Sequence, residues 1–322
     1  MTVTFRSRER TVHAVNGVSF ALKRGEVLGI LGESGSGKSV TLRALMRLLP
    51  GHAEVGGKVV VAGRDVATLS EQSLEDVRGR SISMIFQEPM TALDPVFTIG
   101  EQIAETVRRH EGCDRRSAEA RALELLELVQ IPSARRRLKA YPHEMSGGMR
   151  QRAMIALALS CRPSVLLADE PTTALDVTVQ IQILLLLRKL QKELGMAVIF
   201  VTHDVGAAVE VSDRLAVMYA GRFVETGTSL ELIEGHRHPY TKGLLDSMLH
   251  GDRRGQRLET IPGAPPSLGA APSGCSFAPR CKWAKPSCSL TLPDPTAFSD
   301  THMARCFRMD PSAPGFAMKA DA

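Results

Sequence analysis

The hydrophobic positions fall into short unbroken runs separated by stretches of helical period. Val27-Leu-Gly-Ile-Leu31 reads as a strand buried on both faces, followed by a glycine-rich turn and a helix through Thr41 to Leu49. Lys58 to Gly63 and Ser81 to Phe86 are further strand candidates. From Ile99 to about Ser160 the period becomes helical, with Arg121 to Val129 the clearest amphipathic stretch. Strands return at Val165-Leu-Leu-Ala168 and Ala197-Val-Ile-Phe-Val201, with a long helix from about Val177 to Leu194 between them. Strand, helix, strand in this order predicts an α/β fold: a mostly parallel sheet covered by helices, with a helical insert over about 88–160.

After about Arg237 the composition changes. Ten of the 18 prolines and four of the six cysteines lie between Ile261 and the end. Such a stretch supplies neither long helices nor central strands, because proline lacks the N–H that both need. It is expected to form a small, loop-rich appendage that needs a staple to be ordered. The chain is therefore expected to divide into residues 1–236 and 237–322.

With 43% hydrophobic and 23% charged residues, a chain of 322 can build a proper core, so disorder is not the default. A net charge of +5 is compatible with an anionic ligand or a membrane surface and demands neither. The opening MTVTFRSRER has no apolar stretch of the kind a secretory signal needs. The leucine-rich apolar run from Ile183 to Leu187 is closed off by Gln182 and Arg188. It falls well short of the roughly 18 to 20 residues of a membrane span. A soluble chain is expected, held at any membrane by another subunit. In the reducing compartment this implies, the clustered thiols point to metal ligation before disulfides. The basic groups Arg108-Arg109, Arg115-Arg116 and Arg135-Arg-Arg137, on or beside the helical insert, read as solvated helix faces, with contact to lipid headgroups or an acidic partner loop as the alternative.

Chemistry enters with Gly32-Glu-Ser-Gly-Ser-Gly-Lys-Ser39, which matches the P-loop pattern and sits between a strand and a helix, where that pattern has physical meaning. Gly35 and Gly37 let the backbone turn N–H groups toward phosphate oxygens, and the helix N-terminus adds partial positive charge. Gly32, Ser34, Gly35, Ser36, Gly37, Lys38, Ser39 and the following Val40 form the candidate cradle. Lys38 can reach the β- and γ-phosphates, and the Ser39 hydroxyl can ligate Mg²⁺. The apolar run ending at Ala168 delivers Asp169 as the acidic metal partner and Glu170 as the carboxylate that polarises an attacking water. A third strand ending at Val201-Thr202 brings His203 to the same sheet edge, where it can donate to the γ-phosphate.

Ser146-Gly-Gly-Met-Arg-Gln151 opens a helix about 20 residues before Asp169-Glu170. In this order it resembles the signature motif of ABC-type ATPases. Gln87 after the strand ending at Phe86, Ala174-Leu-Asp176 after the acidic pair, and His203 are similar to that family's Q-loop, D-loop and switch histidine. The resemblance covers Phe5 to about Thr226. It implies a P-loop NTPase sheet of RecA type with an antiparallel β subdomain, ATP and Mg²⁺ as ligands, and two such domains joined head to tail. Each ATP would then lie between one subunit's P-loop and the partner's signature, the counterpart of Ser146, Gly147 and Gly148, with Asp176 at the same interface. Gln87 would sense Mg²⁺ and the attacking water and relay their state to the insert, where membrane subunits dock in relatives. Phe5, 33 residues before Lys38, stands where the family stacks an aromatic on adenine. The chain starts so near this position that the N-terminal strand common in relatives is expected to be shortened or absent, through a misassigned start or a trimmed sheet edge.

The tail narrows the resemblance. Ile261-Pro-Gly-Ala-Pro-Pro-Ser-Leu268, Gly274-Cys-Ser-Phe-Ala-Pro-Arg-Cys281, Cys288, His302 and Cys306 look like the C-terminal extension of peptide importer ATPases, as does His238-Pro-Tyr-Thr-Lys-Gly-Leu-Leu245. Tyr141 to Arg152 is closer to one of the two paralogous ATPases these importers pair (the D-type). The implied assembly has two transmembrane permease subunits, a sister ATPase (a heterodimer ahead of a homodimer) and an extracytoplasmic binding protein. It places the chain peripherally on the cytoplasmic face of the inner membrane. Cys275, Cys281, Cys288 and Cys306 suffice for a [4Fe–4S] cluster; Zn²⁺ would accept Cys₄, or Cys₃His with His302. The spacings match neither ordinary zinc ribbons nor ferredoxin runs, and the family resemblance favours the cluster. The alternative function is a soluble ABC ATPase acting on nucleic acid or ribosomes. One P-loop, one signature and no sustained heptads favour the transporter, with no nucleic-acid partner.

Overall fold

The computed structural model describes residues 1–8, 10–247, 261–269 and 273–309. Eight strands form the main sheet, in the order Thr296–Ala297, Met303–Ala304, Arg222–Thr228, Arg214–Tyr219, Val27–Leu31, Ala197–Thr202, Val165–Asp169 and Ile82–Ile85. The last five run parallel and the first three join them antiparallel. Val27–Leu31 and Ala197–Thr202 are buried along their whole length. That is why both read as unbroken apolar runs instead of alternating ones.

Register places the site. Leu31 lies opposite Thr202, and Asp169 lies opposite Val201. The residues that leave these strands, Gly32, Glu170 and His203, therefore emerge side by side at one carboxyl edge, the position where open α/β sheets bind ligands.

Helices cover both faces. On one, Ile103, Leu125, Leu126, Ile155 and Leu159 of the helical insert pack with Leu186 and Leu190 against Leu166 and Phe200 of the sheet. The insert's first helix, Ile99–Glu111, opens with a reciprocal Thr98–Glu101 capping box and stops at Gly112 in the left-handed region. The long helix Val177–Leu194 is capped by Asp176 and terminated by Gly195 at φ 61°. On the other face, the helix Lys38–Leu45 buries Leu42 among Leu28, Ile30, Leu167 and Ile199. That helix ends short of the expected Leu49, with Arg47 already at φ 51°.

A second sheet has the order Thr11–Asn16, Thr2–Arg6, Ala53–Gly56. The N-terminal strand, expected to be shortened or absent, is present over Thr2–Arg6 and hydrogen-bonded on both sides. The strand expected over 58–63 shrinks to Val60–Val61, paired with Arg64–Asp65.

The tail is less separate than its composition implies. Met303–Ala304 pairs with Arg222–Thr228 and extends the main sheet. Behind this junction, the fully buried Glu225 accepts from the N–H groups of Arg237 and His238 and from His302 Nε2, 2.8 Å away. Burial pushes the Glu225 carboxyl up, but these hydrogen bonds, led by His302, outweigh it and leave the group below the ordinary range. Tyr219, Tyr240, Phe277 and Leu244 form a third apolar cluster that holds the tail against the strand Arg214–Tyr219. Among the described residues no helix is long and apolar enough to cross a membrane.

Candidate functional site

The loop from Gly32 to Gly37 takes its shape from glycine where no other residue fits. Gly35 and Gly37 lie at φ 78° and 105°, and a Cβ on Gly32 or Gly37 would overlap the carbonyls of Met218 or Ala14. Gly37 opens the helix without a side-chain cap, leaving the first N–H groups for an anion. Lys38 is 4% exposed, and its Nζ donates to the carbonyls of Gly32 and Glu33 at 2.8 and 2.9 Å. Burial lowers its pKa while Glu170, Asp169 and Glu33 pull it back up. The Ser36 hydroxyl is buried and finds no partner among the described residues.

Ser39 Oγ donates to Asp169 Oδ1 at 2.6 Å, joining the P-loop helix to the neighbouring strand end. Burial raises the Asp169 pKa, and the Ser39 hydroxyl and Arg43 oppose it. A hydroxyl beside a buried carboxylate is the oxygen donor set that suits Mg²⁺.

Glu170 is the hub. His203 Nδ1 lies 3.1 Å from Oε2, the Thr173 hydroxyl donates to the same oxygen at 3.0 Å, and Gln87 Nε2 approaches it at 3.5 Å. Lys38 Nζ stands 3.9 Å from Oε1. Glu170 also has φ 46°, a left-handed conformation that a non-glycine residue adopts at a cost of about 1–3 kcal/mol. The backbone holds it there through an N–H bond to Val201 of the adjacent strand.

The cleft above these groups is about 930 Å³ and brings together Phe5, Gly32, Ser34, Gly35, Gly37, Lys38, Ser39, Val40, Gln87, Glu170 and His203. Phe5 packs at a tilt against His52, 5.8 Å between ring centres, and lines the cleft. The cleft walls do not include Ser146, Gly147, Gly148 or Asp176. Ser146 caps the helix Gly147–Leu159 by accepting from Met149 N–H, and Asp176 caps the next long helix. Gly148 allows these two helix starts to touch: a Cβ there would come within 2.8 Å of Val179.

Several cleft residues escape the sequence motifs. Thr173 lies only three positions beyond Glu170 and is traceable to the turn that follows the acidic pair. Leu244, Ser247, Ile261 and Leu268 belong to the tail, and no local pattern marks them as cleft walls.

Cys275, Cys281, Cys288 and Cys306 line one small cavity of about 20 Å³, with His238, Phe277 and Trp283 around it. The convergence matches the expectation from sequence; a finished metal site does not. Among the described residues no group of three or more His, Cys, Asp or Glu is disposed to hold a metal ion. Burial raises the pKa of Cys275, Cys281 and Cys306, the last to about 11. His302 is ruled out of a Cys₃His set by position: its Nε2 is committed to Glu225 and its ring does not line the cavity.

The sequence and fold have matching counterparts. The ABC transporter family description matches residues 15–173, and the oligopeptide/dipeptide transporter C-terminal region matches residues 224–288. A putative peptide import ATP-binding protein of Brucella abortus is 50% identical over 96% of this chain and 95% of its own. The dipeptide transport ATP-binding protein DppD of Bacillus subtilis is 46% identical over 99% of this chain and 96% of its own. Among solved structures, the ATP-binding cassette MJ0796, captured as a dimer with ADP and Pi, superposes with a TM-score of 0.64 at 31% identity, covering 71% of this chain and 96% of that one. The chain belongs to the ABC transporter family as an ATPase subunit and carries the C-terminal region of its oligopeptide/dipeptide transporter branch.

Proposed function

We propose that this ATPase hydrolyses ATP to drive import of dipeptides or oligopeptides through separate membrane subunits. The observation that carries the reading is the convergence of Lys38, Thr173, His203 and Gln87 on the single carboxylate of Glu170 beside the P-loop. Glu170 orients and polarises the attacking water. Thr173 and His203 hold the carboxylate in place, the histidine through Nδ1, which leaves Nε2 for the γ-phosphate. Lys38 exchanges its two loop carbonyls for phosphate oxygens, and the Gly35–Gly37 amides complete the cradle. Ser39, Asp169 and Gln87 would hold Mg²⁺, which neutralises charge on the β- and γ-phosphates when bound. Phe5 stacks on the base.

Ser146, Gly147, Gly148 and Asp176 lie outside the chain's own cleft, at two helix starts packed together. That placement supports a head-to-tail dimer in which they meet the nucleotide of the partner. MJ0796 is itself dimeric, which supports a two-subunit assembly. The partner is a sister ATPase, with a second copy of this chain as the alternative. Two permease subunits dock on the helical insert at the cytoplasmic face of the inner membrane, and a binding protein delivers the peptide outside. Residues 1–236 form the nucleotide-binding unit and 237–322 its extension. Relatives named for dipeptide and oligopeptide transport favour peptide cargo over a nucleic-acid or ribosomal role. A tagged pull-down from mild-detergent extracts tests the assembly. Two multi-spanning permeases and a sister ATPase are expected; ribosomes or nucleic acid without membrane protein would overturn the transport reading.

The reading extends to Cys275, Cys281, Cys288 and Cys306 as ligands of a metal centre, a [4Fe–4S] cluster ahead of Cys₄ zinc. Its support is four sulfurs around one cavity. Anaerobically purified protein is expected to be coloured, with iron and acid-labile sulfide in equal amounts. Colourless, iron-free protein filled with zinc would sink the cluster.

A further inference from the structure

Arg280 lies in the tail, yet its guanidinium reaches the P-loop. Its side chain is 5% exposed and all five of its N–H donors are used. Nε donates to the Pro262 carbonyl at 2.8 Å. Nη1 donates to Glu33 Oε2 at 2.6 Å and to the Tyr219 hydroxyl at 3.3 Å. Nη2 donates to Glu33 Oε1 at 3.0 Å and to the Ile261 carbonyl at 3.3 Å. The pair with Glu33 is the bidentate fork that arginine makes and lysine cannot.

Glu33 is the second residue of the phosphate loop, and each of its polar groups is held. Its N–H donates to the Tyr240 hydroxyl at 2.8 Å, and its carbonyl accepts from Lys38 Nζ and from Ser36 N–H. Tyr240 is fully buried against Tyr219, 4.5 Å between ring centres, so this anchor is itself rigid. The far side of the Arg280 node is the segment Ile261–Leu268. Its end residues border the nucleotide cleft, and the Leu268 carbonyl accepts from His13 N–H at 2.8 Å, next to Val12 on the Phe5 side. One side chain thus fixes the start of the phosphate loop and a wall of the same cleft.

We infer that Arg280 is a positioning residue for nucleotide binding, and that the C-terminal extension sets ATP affinity by clamping the P-loop through Glu33. The inference rests on the ATP reading of the cleft. A loop ordered before the ligand arrives spares the binding step that ordering cost, so loss of the clamp falls on affinity and not on the chemical step. Arg280 touches neither Glu170 nor His203.

The test measures the Kd of the full-length chain for a fluorescent ATP analogue with Mg²⁺, the KM and kcat for ATP in the assembled transporter, and the Tm of each variant. Arg280→Ala and Glu33→Gln are each expected to weaken binding roughly tenfold and raise KM to match, with kcat at saturating ATP nearly unchanged. Their combination should be no worse than the stronger single change, because both remove the same contact. Arg280→Lys should recover part of the affinity. Glu33→Gln is nearly isosteric and keeps the backbone contacts to Tyr240 and Lys38, so it remains informative if Arg280→Ala fails to fold. A lowered Tm with Kd unchanged in both single variants, or additive losses in the double, would overturn the inference. Normal ATP binding by Lys38→Ala in the same assay would instead defeat the underlying reading of the cleft.

Discussion

Lys38→Ala is expected to reduce ATP turnover by at least about two orders of magnitude, with the fold intact by circular dichroism. The ammonium is 4% exposed, and its only direct partners in the loop are two carbonyls, which cannot neutralise it. A buried cation held by neutral acceptors, with carboxylates near but not closed upon it, is poised to take phosphate oxygens in their place. Alanine removes the full positive charge of Lys38 at the base of the cradle and leaves the carbonyls of Gly32 and Glu33 facing the incoming phosphates. Binding and turnover should both fall. Steady-state phosphate release and direct nucleotide binding check this, and near-normal turnover would show that the loop does not hold the reacting phosphate.

Glu170→Gln should behave differently. Glutamine fills the same space and can keep the Thr173 contact, so the chain should still bind ATP. It cannot act as a base, and kcat should drop roughly 10²- to 10⁴-fold. With hydrolysis blocked, ATP persists between the two subunits, and size-exclusion chromatography with ATP should reveal a stable dimer that ADP does not support. A wild-type hydrolysis rate in Glu170→Gln would remove Glu170 from its role.

The phosphate site was legible because its parts are local. Val27–Leu31, the glycine loop and the helix from Lys38 are contiguous, so period and motif report on the same structure. Glu170 and His203 were legible as the residues that leave buried strands, and register then placed them together. The antiparallel strands were harder. Thr2–Arg6 takes its identity from Thr11–Asn16 and Ala53–Gly56, and five residues carry too few alternations to declare a strand alone. The hairpin Arg214–Tyr219 to Arg222–Thr228 likewise depends on the parallel strand beside it. Proline content in the tail does not reveal that two of its short segments, Thr296–Ala297 and Met303–Ala304, join the main sheet. The Arg280–Glu33 clamp spans 247 positions, and nothing in either local sequence announces the other. The same holds for Ile261 and Leu268 as cleft walls. Thiol clustering was visible in sequence and survives as a shared cavity. His302, by contrast, was spent on Glu225, a buried carboxylate whose need for a partner only the packing exposes.

The central claim is that ATP hydrolysis at the Glu170 site powers peptide import, and its most direct test is transport itself. The complex recovered through this chain would be reconstituted into vesicles with ATP on the side of the ATPase and a peptide-loaded binding protein on the other. Hydrolysis stimulated by the loaded binding protein and labelled peptide accumulating on the ATP side are expected, both lost with Glu170→Gln. Hydrolysis indifferent to peptide, with no accumulation at any ATP concentration, would contradict the central claim.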